Sequence, residues 1–199
     1  MDNLRLKTGE RALVIVAHPD DETIWLGGTI LKHPRVRWTI FSLCRASDPD
    51  RAPKFWRVCK FFGAKGIMTN LEDEGKLGVK IAVPISKKLI LTNLLNKKFD
   101  YIFTHGANGE YGHPRHKSIH RAVVELVYTG QLTAKQLLCF NYQLTREHKL
   151  SVKDDSDVIT KLTSAEFKQK KKIMTELYGF APDGIDANYC TKTEAFIKK

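Results

Sequence analysis

The sequence has no apolar stretch near the roughly 20 residues that span a bilayer. Its opening residues, Met1-Asp2-Asn3-Leu4-Arg5-Leu6-Lys7, lack the apolar core of a signal peptide. No transmembrane segment is expected, and a cytoplasmic location is. Cysteine is scarce and scattered: Cys44, Cys59, Cys139 and Cys190 form no C-x-x-C pair. Cys44 and Cys139 fall in apolar, strand-like runs, so buried thiols are expected rather than disulfides or a cysteine zinc site. There is no Gly-rich phosphate loop, neither G-x-G-x-x-G nor G-K followed by Ser or Thr, and no recognised nucleic-acid motif. Repeats and low-complexity linkers are also missing, so the 199 residues are expected to form one domain over 1–199.

What is present is ordinary in bulk and skewed in charge. Hydrophobic residues make up 42% and charged residues 28%, the composition of a globular protein. Acidic residues are outnumbered 22 to 33, leaving a formal charge of +11. Part of that charge lies in Lys168, Lys170, Lys171, Lys172, Lys198 and Lys199. A solvated basic surface accounts for it; an anionic substrate, an anionic membrane surface or nucleic acid are the sharper readings.

Strand and helix patterns alternate. Ala12 to Ala17 is short, uncharged and β-branched, which reads as a buried strand. A helix follows over 22–32, with Gly27-Gly28 marking a close backbone approach. Val36 to Leu43 reads as a strand. Asp50 to Phe62 reads as a helix, its apolar face Phe55, Val58, Cys59 and Phe62, stopped by Gly63. A short strand at Ile67-Met68 precedes a helix over 84–97 opened by Pro84. Asp100 to Thr104 is a strand, His116 to Tyr128 a helix, Leu137 to Leu144 a strand, and Lys149 to Asp157 a surface loop. Ser164 to Tyr178 is a helix with a capping box at Thr163 and Glu166. The alternation predicts an α/β fold, a mostly parallel sheet covered on both faces by helices.

Two clusters carry chemistry. His18-Pro19-Asp20-Asp21-Glu22 follows the first strand, at the strand edge where open α/β sheets bind ligands. His18 and Asp21 are three residues apart and offer good donors for a zinc-type ion. Asp20 beside them can take a proton from metal-bound water. The plain alternative is an acidic turn in which Asp20 or Asp21 caps the helix, with Glu22 placed by the helix dipole. The second cluster is Gly109-Glu110-Tyr111-Gly112-His113-Pro114-Arg115-His116, after the strand ending at Thr104. One of His113 and His116 can complete a metal set. The other can stay unligated and polarise a carbonyl as an imidazolium. His120 reads as a group supporting a ligand from behind or as a half-buried helix histidine. The role of His105 is open, and His33 and His148 read as surface loop residues.

His-Pro-Asp-Asp-Glu after a first strand, with Gly-Glu-Tyr-Gly-His-x-x-His downstream, resembles the PIG-L/LmbE-like de-N-acetylase family. That family includes zinc-dependent deacetylases of N-acetylglucosamine conjugates. The resemblance implies a Rossmann-like three-layer sandwich. It implies zinc held by His18, Asp21 and His116, with another divalent ion such as Fe2+ as the alternative. It implies Asp20 as general base and His113 as the group that stabilises the tetrahedral intermediate. Arg51, Asp73 and Tyr111 become candidate substrate residues. The implied reaction is hydrolysis of an N-acetyl group from an N-acetylglucosamine-type conjugate, for which the positive charge favours an anionic aglycone.

The chain departs from the family pattern at two places. Arg115 stands where the second cluster usually has an acid, and Lys54 stands where the helix after the second strand often has Glu. Two readings of other classes stand beside the enzyme. One is a nucleotide- or nucleic-acid-binding α/β protein whose acidic turn is only a cap; carboxylates there would repel phosphate. The other is an inactive family member serving as an interaction module. The aglycone and the oligomeric state are open.

Overall fold

A computed structural model describes residues 2–147 and 149–199. His148 lies outside them. The strands are β1 (Asp2–Asn3), β2 (Arg11–Val16), β3 (Arg37–Ser42), β4 (Lys65–Met68), β5 (Lys98–Thr104), β6 (Thr133–Phe140), β7 (Tyr142–Leu144), β8 (Leu150–Val152), β9 (Val158–Lys161) and β10 (Thr193–Lys198). The helices are α1 (Asp21–Lys32), α2 (Arg51–Phe62), α3 (Val79–Asn93), α4 (Pro114–Tyr128), α5 (Ser164–Lys172) and the single turn α6 (Ile185–Asn188). A π-turn over Ile173–Leu177 continues α5.

The eight-stranded sheet has the order β1-β9-β10-β6-β5-β2-β3-β4, and β7 and β8 form a separate antiparallel pair. Within the large sheet β10 runs against its neighbours β6 and β9; the other described pairings are parallel. The expected α/β architecture with a mostly parallel sheet is therefore present.

Alternation along β2 explains why both faces are covered. Val14 and Val16 pack into a core with α1, α2 and the π-turn. Leu13 and Ile15 pack into a second core with α3 and α4. All four are fully buried. At about 1.5–3 kcal/mol for each large aliphatic side chain taken out of water, such a strand is held from both sides.

The connections position the site. From β2 the chain winds outward through α1, β3, α2 and β4. It then returns through α3 to lay β5 on the other side of β2. The winding direction changes between β2 and β5, and such a switch point opens a crevice at the carboxyl ends of the strands. One acidic-histidine cluster leaves each of these two strands.

Several boundaries move. Pro84 lies inside α3 rather than at its start, because Val79 to Val83 already form a helical turn before it. The stretch expected as one strand over 137–144 is two, β6 and β7, and part of the expected loop over 149–157 is strand β8. β9 and β10 are short and lacked a recognisable turn signature. Lys170, grouped with the surface lysines by sequence, is fully buried against Glu194 at 2.7 Å. Glu194 also accepts from the backbone N–H groups of Gly28 and Thr29, at 2.8 and 2.7 Å. That contact fastens β10 to α1 where the helix has no side chain: a Cβ on Gly28 would stand 2.4 Å from Leu162. All four cysteines are free and buried, as expected.

Candidate metal centre

α1 begins at Asp21 and Asp20 occupies its N-cap position, but the Asp20 side chain makes no capping hydrogen bond. Instead Asp20 Oδ2 accepts from Arg51 Nη1 at 2.8 Å, across from the first turn of α2. Its backbone sits at φ 136°, a region that non-glycine residues rarely occupy. Such strain, on the order of 1–3 kcal/mol, collects at functional sites. The turn is thus more than a cap. Glu22 is no exposed first-turn acid either: it is fully buried and accepts from Tyr178 Oη at 2.7 Å and Thr23 Oγ1 at 2.6 Å.

Three donor atoms from the two clusters converge. His18 Nδ1 lies 3.3 Å from Asp21 Oδ2. His116 Nε2 lies 3.5 Å from the same oxygen and 3.3 Å from His18 Nδ1. Ligands about 2.0–2.2 Å from a tetrahedral ion stand about 3.3–3.6 Å apart, so these three atoms fit three corners of such a site. His18, Asp21 and His116 therefore suit a zinc-type ion as they stand.

Each donor is oriented from behind. His18 Nε2 is 2.7 Å from Asp73 Oδ1, which turns Nδ1 toward the centre. His116 Nδ1 is 2.6 Å from Glu110 Oε2, which frees Nε2. Trp25 Nε1 donates to Asp21 Oδ1 at 2.9 Å and the His18 backbone N–H to Oδ2 at 2.8 Å, which fixes the carboxylate with Oδ2 toward the imidazoles. Such partners behind a ligand set its tautomer and basicity. Burial pulls His18 down, but hydrogen bonds and charges from Asp21 and Asp73 outweigh it and raise it to about 10. Burial pushes Asp21 up, yet the imidazoles around it hold the carboxyl well below the usual range. His116 is held below its ordinary value, chiefly by burial.

Other groups nearby are excluded by their hydrogen bonds. His105 Nε2 accepts from the Ala17 backbone N–H at 2.9 Å, and its Nδ1 faces Glu110 Oε2 at 3.0 Å. Its Nε2 lone pair is occupied, so its 3.5 Å approach to Asp21 is not a ligand position. Cys44 lies near His18 and Asp73, but burial pushes its thiol up and keeps it protonated. His120 Nδ1 is 2.8 Å from the His105 carbonyl oxygen, a contact that steadies the β5 end rather than reaching the centre. His33, expected on a surface loop, is half-buried at the end of α1 with Nδ1 2.8 Å from the Thr29 carbonyl oxygen.

The second cluster folds around Glu110. This carboxylate, 1% exposed, also accepts from the Gly106 backbone N–H at 2.6 Å. Burial opposes its charge, but His105 and His116 hold it down to about 2. The turn requires Gly109: φ is 68°, and a Cβ there would meet the His113 carbonyl oxygen at 2.7 Å. His113 ends the turn as N-cap of α4, its Nδ1 accepting from the Arg115 backbone N–H at 3.2 Å. Burial, then His116 and His18, lower His113 to about 4. It is neutral, with Nε2–H left as a donor, where the sequence pointed to an imidazolium.

These groups open into a cleft of about 230 Å³ lined by His18, Asp20, Asp21, Arg51, Asp73, Tyr111 and His113, the expected residues other than buried His116. Asp20 is raised well above its ordinary value by burial and by Asp21, against His18 and Arg51. Arg51 also lies over the Phe180 ring at 4.4 Å. Tyr111 rests edge-on against His113 and His116. Asp73, expected at the substrate, has both oxygens engaged, Oδ1 by His18 and Oδ2 by Arg45 at 2.9 Å. Lys54 turns to Asp50 at 2.7 Å. Arg115 is buried and donates Nη2 to Glu72 and to the Leu77 carbonyl oxygen, fastening the loop that carries Asp73.

Sequence reasoning missed Trp25, Arg45, Glu110, Asp186 and Tyr189 at this site. The i,i+4 spacing of Asp21 and Trp25 on one helix was a usable signal. Glu110 stood inside the recognised motif without a role. Asp186 and Tyr189 had no signal, because they arrive from a distant one-turn helix.

A family model described as PIG-L, GlcNAc-PI de-N-acetylase, matches residues 13–127, more than half of the chain. The chain belongs to the PIG-L family. The match covers both clusters and the strands that carry them. Solved structures extend the likeness of this PIG-L member to the whole chain at the level of fold. The conserved protein TT1542 from Thermus thermophilus is 16% identical with a TM-score of 0.63, over 94% of each chain. The A40926 pseudoaglycone deacetylase Dbv21 is 15% identical with a TM-score of 0.60, over 90% of this chain and 86% of that one. GalB, the 4-carboxy-2-hydroxymuconate hydratase from Pseudomonas putida, is 12% identical with a TM-score of 0.61, over 96% and 95%. A deacetylase and a hydratase thus share the PIG-L architecture, and the reaction has to be argued from the site. Among the described residues, no helix is long and apolar enough to cross a membrane.

Proposed function

We propose that this protein is a metal-dependent N-deacetylase that hydrolyses the acetamide of an N-acetylglucosamine-type conjugate. The observation that carries the reading is the triangle of His18 Nδ1, Asp21 Oδ2 and His116 Nε2, with 3.3–3.5 Å edges, beside a strained Asp20. A zinc-type ion held there supplies Lewis acidity, which polarises an amide carbonyl and makes water a nucleophile at neutral pH.

The chain's own residues supply the rest. Asp20 accepts the proton of the attacking water. Arg51 engages its Oδ2 and fixes its direction, while Oδ1 has no protein hydrogen bond among the described residues. Burial and the neighbouring Asp21 raise its carboxyl above the ordinary value, the direction that favours accepting a proton. The neutral His113 Nε2–H donates to the carbonyl oxygen as negative charge develops there. The C–N bond breaks, acetate forms, and Asp20 returns its proton to the departing amine nitrogen. Asp73 acts on His18 rather than on the sugar. Arg51 and Tyr111 line the cleft and contact the sugar.

Family membership supports a deacetylase, and the carboxylates of Asp20, Asp21 and Asp73 in the cleft disfavour a phosphate ligand. The test is metal content with acetate release. Purified protein should hold about one divalent ion per chain, lost in His116→Ala and Asp21→Ala. It should also release acetate from N-acetylglucosaminides. Protein that takes up no ion on reconstitution overturns the reading.

A further inference from the structure

Three residues other than glycine have positive φ, and Asp20 departs furthest from ordinary backbone geometry among them. Its φ is 136°, against 67° at Arg45 and 57° at Glu110, which sit in the left-handed region. Such a conformation persists only where its surroundings hold it. The Asp20 carbonyl oxygen accepts from the Thr23 and Ile24 N–H groups at 2.8 and 2.9 Å, which starts α1. Its N–H donates to Glu22 Oε2 at 3.1 Å, and its Oδ2 accepts from Arg51 Nη1 at 2.8 Å.

Glu22 and Arg51 are in turn supported by one distant segment. Tyr178 ends the π-turn, its N–H on the Ile173 carbonyl oxygen at 3.0 Å. Its hydroxyl donates to Glu22 Oε1 at 2.7 Å, across 156 residues of sequence. Phe180, two residues on, lies with its ring centre 4.4 Å from the Arg51 guanidinium carbon. The N–H of Phe180 reaches the Met174 carbonyl oxygen at 3.0 Å, so the π-turn anchors both aromatic residues. Turns of this kind collect at functional sites. Burial keeps the Tyr178 hydroxyl protonated, so it stays a donor. Without it, Glu22 Oε1 would retain only Thr23, and a fully buried carboxylate would lose a partner.

We infer that Tyr178 and Phe180 are positioning residues for the general base. Tyr178 acts through Glu22 on the Asp20 backbone N–H, and Phe180 acts through Arg51 on Oδ2. The inference rests on the deacetylase reading, in which Asp20 takes the proton. Both residues lie beyond 13–127, the span of the family match, so this part of the site is built from the last third of the chain. Misplacing a reacting group by an ångström costs up to about 10²-fold in rate, which is what the two supports prevent.

Tyr178→Phe removes one hydroxyl and no bulk. The kcat for acetate release should fall about tenfold, the effect of one lost hydrogen bond to a buried carboxylate, with KM and metal content as in the parent. Phe180→Leu should lower kcat about threefold by taking the ring from Arg51, and Phe180→Tyr, which keeps the ring, should match the parent. The deciding measurement uses the Asp20→Asn background. With no base left to aim, Tyr178→Phe should cost nothing further there. Exchange of the Asp20 amide proton, followed by NMR, reads the same support without activity and should be about tenfold faster in Tyr178→Phe. Parental kcat in Tyr178→Phe overturns the inference. So does an equal loss with and without the Asp20 carboxylate, which marks general loosening of the fold, or a loss of metal in step with kcat, which moves the effect to Asp21. If the parent releases no acetate, the deacetylase reading falls. Parental amide exchange in Tyr178→Phe then removes the support of Asp20 as well, whereas faster exchange keeps it.

Discussion

Glu110 and His116 meet at 2.6 Å through Oε2 and Nδ1, with both side chains fully buried. This bond decides which nitrogen of His116 faces Asp21 and His18. Glu110→Gln keeps the shape but removes the charge that accepts from two imidazoles and one backbone N–H. Metal affinity should fall by about 10–100-fold, the usual effect of losing a carboxylate behind a ligating histidine. Chelator competition measures it, and affinity equal to that of the parent would remove Glu110 from this role.

On the proposed reading Asp20 moves protons and does not hold the ion. Asp20→Asn should retain its metal while acetate release falls by about 10²–10⁴-fold. Metal analysis and rate on the same preparation separate the two effects. Parental activity in this variant would show that another group serves as base.

The capping box of α5 gives a pH signature far from the site. Glu166 Oε2 accepts from the Thr163 backbone N–H at 2.7 Å and pairs with Lys32. Burial is the largest single influence and opposes the charge, but these contacts together hold Glu166 below its ordinary 4.5. A depressed carboxyl stabilises the fold above its unfolded pKa and loses that contribution as pH falls through the folded value. Near pH 7 the parent should exceed Glu166→Gln by under about 1 kcal/mol, because the groups are exposed. Below pH 4 the two melting curves should converge; a gap constant from pH 7 to pH 3 would contradict this account.

Lys170 and Glu194 pair at 2.7 Å with no exposure to water. Lys170→Met strands a buried carboxylate and should cost about 3–5 kcal/mol of stability. The double variant Lys170→Met with Glu194→Gln should recover much of that loss, since Gln leaves no unpaired charge. Urea denaturation of the four proteins completes the cycle, and additive losses would show that the two side chains do not interact.

Local pattern carried a good deal of the fold. The uncharged run ending at Ala17, the face of Phe55, Val58, Cys59 and Phe62, and the box at Thr163 and Glu166 each encode their element within a few residues. β9 and β10 escaped because strands of four and six residues hold little period, and their pairing partners lie elsewhere in the chain. Lys170 was misplaced for the same reason: nothing near it in sequence announces Glu194.

By itself the sequence determined which donor types exist and where they leave their strands: His18 and Asp21 after β2, His113 and His116 after β5. Spacing and composition are enough for that, because they depend on neighbours along the chain. Tertiary structure alone decided which nitrogen of each imidazole is free, that His105 is spent on Ala17, that His113 is neutral, and that Asp73 serves His18. Those outcomes depend on burial and on side-chain hydrogen bonds, none of which a linear pattern contains. Some of the bonds are local, as from Glu110 to His116, and some cross 55 and 88 residues of sequence, as from Asp73 to His18 and from Ala17 to His105.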